Sequence, residues 1–494
     1  MNTKQLRWKI LDLAIRGKLV PQDPNEKNCE LRITNEDAPF KIPESWVWVK
    51  ICDVCEKQET KHPTGDIFRY IDINSIDNRR HCVSEPKIMP TGQAPSRAAK
   101  GVCFGDTVFS MVRPYLENIA FITKDLDDCI ASTGFYVCRP YKKLVSPRYL
   151  YFYLTSNHAI NGINSYMRGD NSPAIRKDEM DNFLMPIPAI SEQKRIVAAI
   201  ESTFAVIDEI EQNKADLQTA VAVAKSKILA LAISGKLVPQ DPADEPASVL
   251  LDRIQTERES LTKAGKIKRG KNDNMIFCDD DKSHYGNIPN KWALTRIRDA
   301  FIINPRNIVE DSVVVSFVPM TLIGDGFFNR FTFQERLWGD VKSGFTHFQN
   351  EDVGLAKITP CLENRKSVIF RGLVNGVGAG TTELHIFRPI SAGAILSDYL
   401  LWFIKSERFI NGCIGAFSGA VGQRRVGKDY VADTIIPIPP LAEQHRIVAA
   451  IERAFEQLGT ITKNLGNNDN SFSNGNMQNQ LQQKKHFVNN EIAT

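Results

Sequence analysis

The sequence has no apolar run long enough to cross a membrane and no Gly-rich loop of the GxxxxGK[ST] type. The first absence argues against a spanning segment, the second against a triphosphate held by a phosphate loop. The first residues, MNTKQLRWKI, lack the apolar core of a signal, so a cytoplasmic chain is expected. Neither sign of charge dominates: 62 Lys and Arg face 58 Asp and Glu, a formal net charge of +4. Such a balance permits a polyanionic partner without requiring one. Ten cysteines scattered over 494 residues fit reduced thiols rather than a disulfide framework. The eight histidines are equally dispersed, with no HExxH pair, and no metal site is expected. No catalytic residue is expected either. Asp279, Asp280 and Asp281 beside Lys282 read as a charged linker rather than a nuclease carboxylate cluster.

What is present is a duplication. Residues 9–24, KILDLAIRGKLVPQDP, return at 227–242 as KILALAISGKLVPQDP, and 14 of the 16 positions are identical. Residues 186–201, PIPAISEQKRIVAAIE, return at 437–452 as PIPPLAEQHRIVAAIE, with 12 of 16 positions matching. Between these anchors lies an ordered echo. Ile42, Pro43 and Trp46 match Ile288, Pro289 and Trp292, and PYLEN at 114–118 matches PCLEN at 360–364. Arg139–Pro140, Tyr149–Leu150 and Asn161–Gly162 match Arg388–Pro389, Tyr399–Leu400 and Asn411–Gly412. Two copies of one domain, roughly 40–188 and 286–439, follow from this. The lone CxxC, Cys52 to Cys55, corresponds to Arg298 and Phe301 in the second copy, so it reads as ordinary buried thiols and not as a metal site.

Within each copy the apolar runs are short and bounded by turn residues. TVFSMV (107–112), GFYVCRP (134–140), VVVSFV (313–318) and LHIFRP (384–389) read as strands, and 148–164 and 398–412 as helices. An α+β domain is expected, with its strand order open. The PYLEN and PCLEN copies read as a turn that holds the fold, because Glu117 and Glu363 would repel phosphate.

Residues 191–235 contain no Pro, and no Gly before Gly235. Their heptad seam runs through Ile196, Ile200, Ile207, Ile210, Leu217, Val221, Ile228 and Leu231, with Thr203 and Lys214 as its poor occupants. Ser191 is the expected N-cap, Glu192 suits the positive helix end, and Gly235 is the expected stop. The seam recurs in two pieces at the chain ends: Ile447, Ile451, Leu458 and Ile461, then Leu6, Ile10 and Leu13. Two half-helices laid end to end, antiparallel to the central one, would give a pseudo-twofold circular arrangement. Only positions 213–218 have no outer counterpart. Residues 243–285 hold an amphipathic helix (ASVLLDRIQTERESL) and a basic run, Lys263, Lys266, Lys268, Arg269 and Lys271, read as a solvated linker. From Asn464 the composition is that of a disordered polar tail.

Two variable domains separated by a repeated helix, with IPIPPxxEQxRIV leading into it and GKLVPQDP after it, resemble the specificity subunit of Type I restriction–modification systems. The resemblance implies an α+β chain with two tandem target-recognition domains of one fold, separated by an antiparallel long-helix coiled coil. The implied divisions are 1–24 (half of an outer spacer helix plus the GKLVPQDP turn), 36–190 (first recognition domain) and 191–242 (central spacer helix). They continue with 243–285 (amphipathic and basic linker), 286–440 (second recognition domain), 441–463 (the other outer half-helix) and 464–494 (tail).

The same resemblance implies a non-catalytic DNA-recognition subunit of a host-defence complex, reading a bipartite site with one domain per half-site. Its implied partners are double-stranded DNA, two methyltransferase subunits and two motor–endonuclease subunits. S-adenosylmethionine, ATP and Mg would be held by those partners, with none in this chain. No FxGxG with a following NPPY or DPPY occurs, so this chain does not itself resemble an adenine methyltransferase. Two alternatives stay open: the specificity subunit of a related system with a fused methyltransferase–nuclease partner, and a structural coiled-coil scaffold.

DNA recognition needs Lys and Arg for phosphates, and Arg, Lys, Asn or Gln for base edges. In the first domain the candidate loops carry Arg69, Asn74, Arg79 and Arg80, then Arg97 and Lys100, then Arg168, Asn171, Arg176 and Lys177. In the second they carry Arg330, Arg336 and Lys342, then Arg365 and Lys366, then Gln423, Arg424, Arg425 and Lys428. The last loop of each domain, just before the IPIP anchor, is favoured. Frames that match while loops diverge predict an asymmetric target.

Overall fold

The computed structural model describes residues 2–26, 38–267, 285, 288–420 and 422–470, with side chains to 463. The basic residues Lys268, Arg269 and Lys271, the acidic run 279–281 and the tail from 471 lie outside the described residues. The described residues fall into two compact units, those up to 215 together with 467–470, and those from 216 to 466.

In the first unit, strand Val47–Lys50 follows the Trp46 turn and pairs antiparallel with Leu184–Ile187, the IPIP anchor. A four-stranded sheet runs Lys87–Pro90, Ile67–Ile71, Ile130–Ser132, Ala98–Gly101, with the two central strands parallel. A three-stranded sheet runs Phe135–Cys138, Thr107–Ser110, Ile119–Phe121.

The second unit repeats this plan. Ala293–Arg296 pairs with Ile435–Ile438. A four-stranded sheet runs Gln334–Leu337, Val314–Val318, Val377–Gly380, Thr346–Gln349, again with parallel central strands. The other sheet runs Leu384–Pro389, Val353–Ala356, Ser367–Ile369, with Phe301–Ile303 added at its edge. The strand order that the sequence left open is therefore the same in both copies.

Each expected helical stretch is a pair of helices, Pro147–Leu154 with Asn157–Asn164, and Ser397–Ile404 with Glu407–Gly415. Ser156 and Ser406 break them by capping Ala159 and Phe409. The repeated Tyr149 and Tyr399 donate to the carbonyls of Pro186 and Pro437, tying each first helix to the anchor strand at 2.9 and 2.7 Å. The repeated Arg139 and Arg388 each pair with a buried aspartate, Asp106 and Asp352. Burial holds the Asp352 carboxyl above its ordinary range, and the Arg388 guanidinium fork pulls the other way.

The long helix runs Ile190–Ile233, 44 residues. Its backbone bonding starts from Ala189, whose carbonyl accepts Gln193 N–H at 2.9 Å, so Ser191 lies inside the first turn and is not the N-cap. Gly235 does end it: Lys236 N–H returns to Leu231 O at 2.9 Å, and Gly235 sits at φ +69°.

The seam needs two corrections. Ile196, Ile200, Ile207, Val221, Ile447, Ile451 and Ile10 are buried as expected, but Ile210, Leu217 and Ile461 are 41, 38 and 42% exposed. Toward the helix end the buried stripe moves off Ile228 and Leu231 to Lys225, Leu229 and Ala232. The N-terminal helix Thr3–Ile15 matches this, burying Ile10, Leu11, Ala14 and Ile15 while Leu6 and Leu13 stay half-buried. These helix ends enter the cores of their own units, beside Trp292 and Trp46 respectively. A helix lying on a globular core buries a 3.6-residue face rather than a 3.5-residue seam. Leu458 and Lys214 are half-buried.

The amphipathic helix Ala247–Lys263 is more than linker, since Ala247, Leu250 and Ile254 join the second unit's core. Of the CxxC pair only Cys55 is buried; Cys52 is exposed, which corrects the expectation for that thiol.

Candidate nucleic-acid interface

The repeated segments meet in one clamp per unit. In the first, Glu192 accepts from Trp46 Nε1 at 3.0 Å and from Gln22 Nε2 at 2.5 Å. One turn on, Arg195 pairs with Glu26 and donates to Pro21 O. In the second unit Glu443 accepts from Trp292 Nε1 at 2.9 Å and from Gln240 Nε2 at 2.5 Å, and Arg446 pairs with Asp244 at 2.6 Å. Burial pushes both glutamates above the usual carboxylate range, and the two donors on each pull the other way. GKLVPQDP, IPxxW and EQxR are thus three sides of one contact, which explains why they match while the rest diverges.

The PYLEN and PCLEN turns are the second shared element, and each carries the favoured loop. In the first unit that loop is a hairpin neck, Arg168 and Ala174 exchanging backbone bonds at 3.1 and 3.0 Å, with Val112 bridged to Ala174. Arg113, in left-handed conformation at φ 49°, donates its N–H to Pro173 O at 2.7 Å and its guanidinium to Asn171 O at 3.0 Å. In the second unit Phe417–Ser418 pairs with Arg425–Val426, and Ile358 is bridged to Arg425. Thr359, equivalent to Arg113, donates its N–H to Arg424 O at 3.0 Å. Glu117 faces Lys4 and His81, and Glu363 accepts from Thr359 Oγ1.

These contacts gather some candidates and remove others. Around the PYLEN turn stand Arg79 and Arg80, whose loop is tied down by Asn78 Nδ2 donating to Leu116 O at 2.9 Å, together with Asn171 in the hairpin. Asn74, Arg79, Arg80, Arg97, Asn171 and Arg176 are exposed. Arg69 is not on a loop but on strand Ile67–Ile71, paired with Asp128. Lys100 is half-buried on strand Ala98–Gly101. Arg168 pairs with Glu179 at 3.0 Å and Lys177 with Asp181 at 2.8 Å, so their charges are partly compensated.

In the second unit Gln423, Arg424 and Lys428 are exposed beside the hairpin. Arg425 is held in a fork by Glu383, with contacts at 2.9 Å, which keeps the guanidinium above and the carboxyl below their ordinary ranges. Lys366 turns inward, donating to Ile323 O at 2.8 Å, and Arg365 donates to Lys405 O at 3.1 Å. Both hold the fold instead of facing outward, as loop sequence alone had suggested. Arg330 lies over Phe328, Lys342 pairs with Asp311, and Arg336 lies over Phe317 from the edge strand Gln334–Leu337, again not a loop.

Three positions that hold the hairpins and their surroundings in place escaped the sequence reading. Arg113 and Glu383 fix the hairpins. Lys405 is fully buried, donating to Gly326 O and Arg365 O at 2.7 and 2.9 Å, and burial brings it down to about 7. Position 113, directly before a repeated turn, was the one available signal. Among the described residues no cluster of three His, Cys, Asp or Glu is arranged to hold a metal ion, and no helix is long and apolar enough to cross a membrane.

Comparison with known proteins adds a family. The profile described as the Type I restriction modification DNA specificity domain matches residues 43–218 and 375–468. The chain is 46% identical over 222 residues to the specificity subunit of the Type I restriction enzyme EcoAI of Escherichia coli. That match covers 45% of this chain and only 37% of the relative, so the chain spans well under half of that protein's length. The StySPI specificity subunit of Salmonella potsdam is 21% identical over 86% of each chain. Among solved structures, a chain from a type I R-M assembly superposes at TM-score 0.59 with 22% identity, covering 87% of this chain and 95% of its own. The HsdS subunit of Thermoanaerobacter tengcongensis superposes at TM-score 0.50 with 24% identity, covering 87% and 94%. At these identities the superpositions speak for the fold.

Proposed function

The chain belongs to the Type I restriction modification DNA specificity family, and from that premise we propose that it is the non-catalytic DNA-recognition subunit of a Type I restriction–modification complex. Each unit reads one half of a bipartite, asymmetric duplex site through its hairpin, which the residue before the PYLEN or PCLEN turn holds in place. The observation that carries this is the combination of matching frames and non-matching readers. Both hairpins hang from equivalent residues, Arg113 and Thr359, yet one exposes Asn171 and the other Gln423 and Arg424. Amide and guanidinium groups match different base edges in the major groove.

Domain divisions at 1–24, 36–190, 191–242, 243–285, 286–440, 441–463 and 464–494 remain our reading of the chain. The helix Ile190–Ile233, flanked by the helices at 3–15 and 441–470, serves as the spacer, a coiled coil along part of its length. Two methyltransferase subunits and two motor–endonuclease subunits dock on this frame. They bring S-adenosylmethionine, ATP and Mg, and the methyltransferases flip an adenine in each half-site.

Co-expression with a methyltransferase subunit, followed by methylome sequencing, tests the proposal: two different half-sites separated by a fixed gap are expected. A palindromic motif would remove the asymmetric reading. Binding that falls steeply with salt is expected of a chain contacting several phosphates. Absence of any DNA binding would favour the scaffold reading instead. A related system with a fused methyltransferase–nuclease partner is separated by the identity of the partner that co-purifies.

A further inference from the structure

We propose that Arg424 is the specificity-determining residue of the second unit, donating as a fork to O6 and N7 of a guanine in the major groove. The inference rests on the DNA-recognition reading above and goes beyond it by assigning one base contact to one side chain.

Four observations converge on it. The Arg424 backbone is fixed, its carbonyl accepting from Thr359 N–H at 3.0 Å while Val426 N–H reaches Lys357 O at 2.9 Å. The neighbouring cation is neutralised and structural: Arg425 is gripped by Glu383, and its Nη1 braces Gln423 O at 2.8 Å. Arg424 directly precedes the strand Arg425–Val426, and it is exposed where Arg425 is half-buried against Glu383. The Arg424 side chain is exposed and engages no side chain among the described residues. A guanidinium on a tethered backbone loses little freedom on forming two parallel bonds, and guanine is the base that presents two acceptors to it. Gly419 at φ +109° lets the neck turn tightly enough to present it: a Cβ there would lie 3.2 Å from Gln423 O.

The first unit shows what the position does when it is not a reader. The same tether runs from Arg113 N–H to the carbonyl of Pro173, 2.7 Å. Proline offers no donor, so the contact has no twin in the other half-site. The proposal therefore places this arginine–guanine contact in one half-site only.

The test is selection from a random duplex library by the full-length chain, comparing wild type with Arg424→Lys and Arg424→Ala. Lysine keeps the charge but not the fork. Arg424→Lys should lose about 10- to 100-fold of preference for G·C at one position of one half-site and retain the rest of the motif. Arg424→Ala should lose the same preference with somewhat weaker binding overall. If both variants select the wild-type motif unchanged, or lose preference in both half-sites, the assignment is overturned while the recognition reading stands. If the wild type selects no motif, the recognition reading falls and takes this assignment with it. Should Arg424→Ala fail to fold, Arg424→Lys decides alone.

Discussion

Trp46 donates its indole N–H to Glu192 at 3.0 Å across 146 residues of sequence, and Trp292 does the same to Glu443 at 2.9 Å. Each bond closes a unit by joining its first turn to the start of the helix that follows its last strand. Trp46→Phe leaves the ring in place and removes the donor from a buried carboxylate. A loss of about 1.5–3 kcal/mol is expected at neutral pH. Amide hydrogen exchange should localise the loosening to the Trp46 turn, and Trp292→Phe should give the matching result in the second unit. Undiminished protection in both variants would refute the clamp.

Lys405 should give the second unit a stability that rises with pH. Its unfolded pKa is near 10.5 and its folded value about 7. Between those values the unfolded chain binds more protons, so raising the pH favours the folded state. Relative to Lys405→Met, the wild type should gain about 2 kcal/mol from pH 7 to pH 9. Urea unfolding at both pH values measures it, and a difference that stays flat would contradict the burial argument.

Gly235→Ala meets two penalties. The residue sits at φ +69°, and a Cβ would fall 2.3 Å from Pro289 Cγ. A loss of about 2 kcal/mol or more is expected. Gly265, at φ +71° with nothing within 4 Å, carries only the backbone penalty. Gly265→Ala should therefore cost about 1 kcal/mol. Thermal unfolding of the two variants separates steric from conformational cost.

Glu383→Gln frees the Arg425 guanidinium from its carboxylate. Binding to nonspecific duplex should tighten, and the salt slope should steepen by about 1, one further phosphate being neutralised. Preference at the second unit's half-site should broaden, because Arg425 no longer braces Gln423. An unchanged slope would show that Arg425 never reaches DNA.

A whole-heptad insertion after Lys214 should change the gap between half-sites and leave both half-sites as they were. Methylome sequencing of the variant is the measurement. A change in the half-sites themselves would contradict the spacer role.

The duplication was legible because the clamp uses the same residues twice, and buried hydrogen bonds tolerate little variation. Strand order was not legible, since short strands such as TVFS show burial and conceal their partners. The seam misled at Ile228 and Leu231 because a heptad describes a helix facing another helix, whereas the buried stripe there follows the wider face of a globular core. Among the candidate readers, composition found the hairpins but could not tell Arg424 from Arg425. The difference lies in Glu383, 42 residues upstream, whose proximity only the fold supplies. Lys366 was misjudged for the same reason: charge in a sequence carries no direction.

The clamps also set an order of events during synthesis. Trp46 leaves the ribosome long before Glu192, and Trp292 long before Glu443, with separations of 146 and 151 residues. Neither clamp can form until its distant helix start has emerged, so each Trp–Glu bond comes late in the translation of its domain. Contacts of this range form slowly, and the exposed strands meanwhile invite wrong pairing. Because both domains share one frame, the second domain's turn leaves the ribosome after the first domain's glutamate and before its own, so the matched but wrong partner is the earlier one on offer.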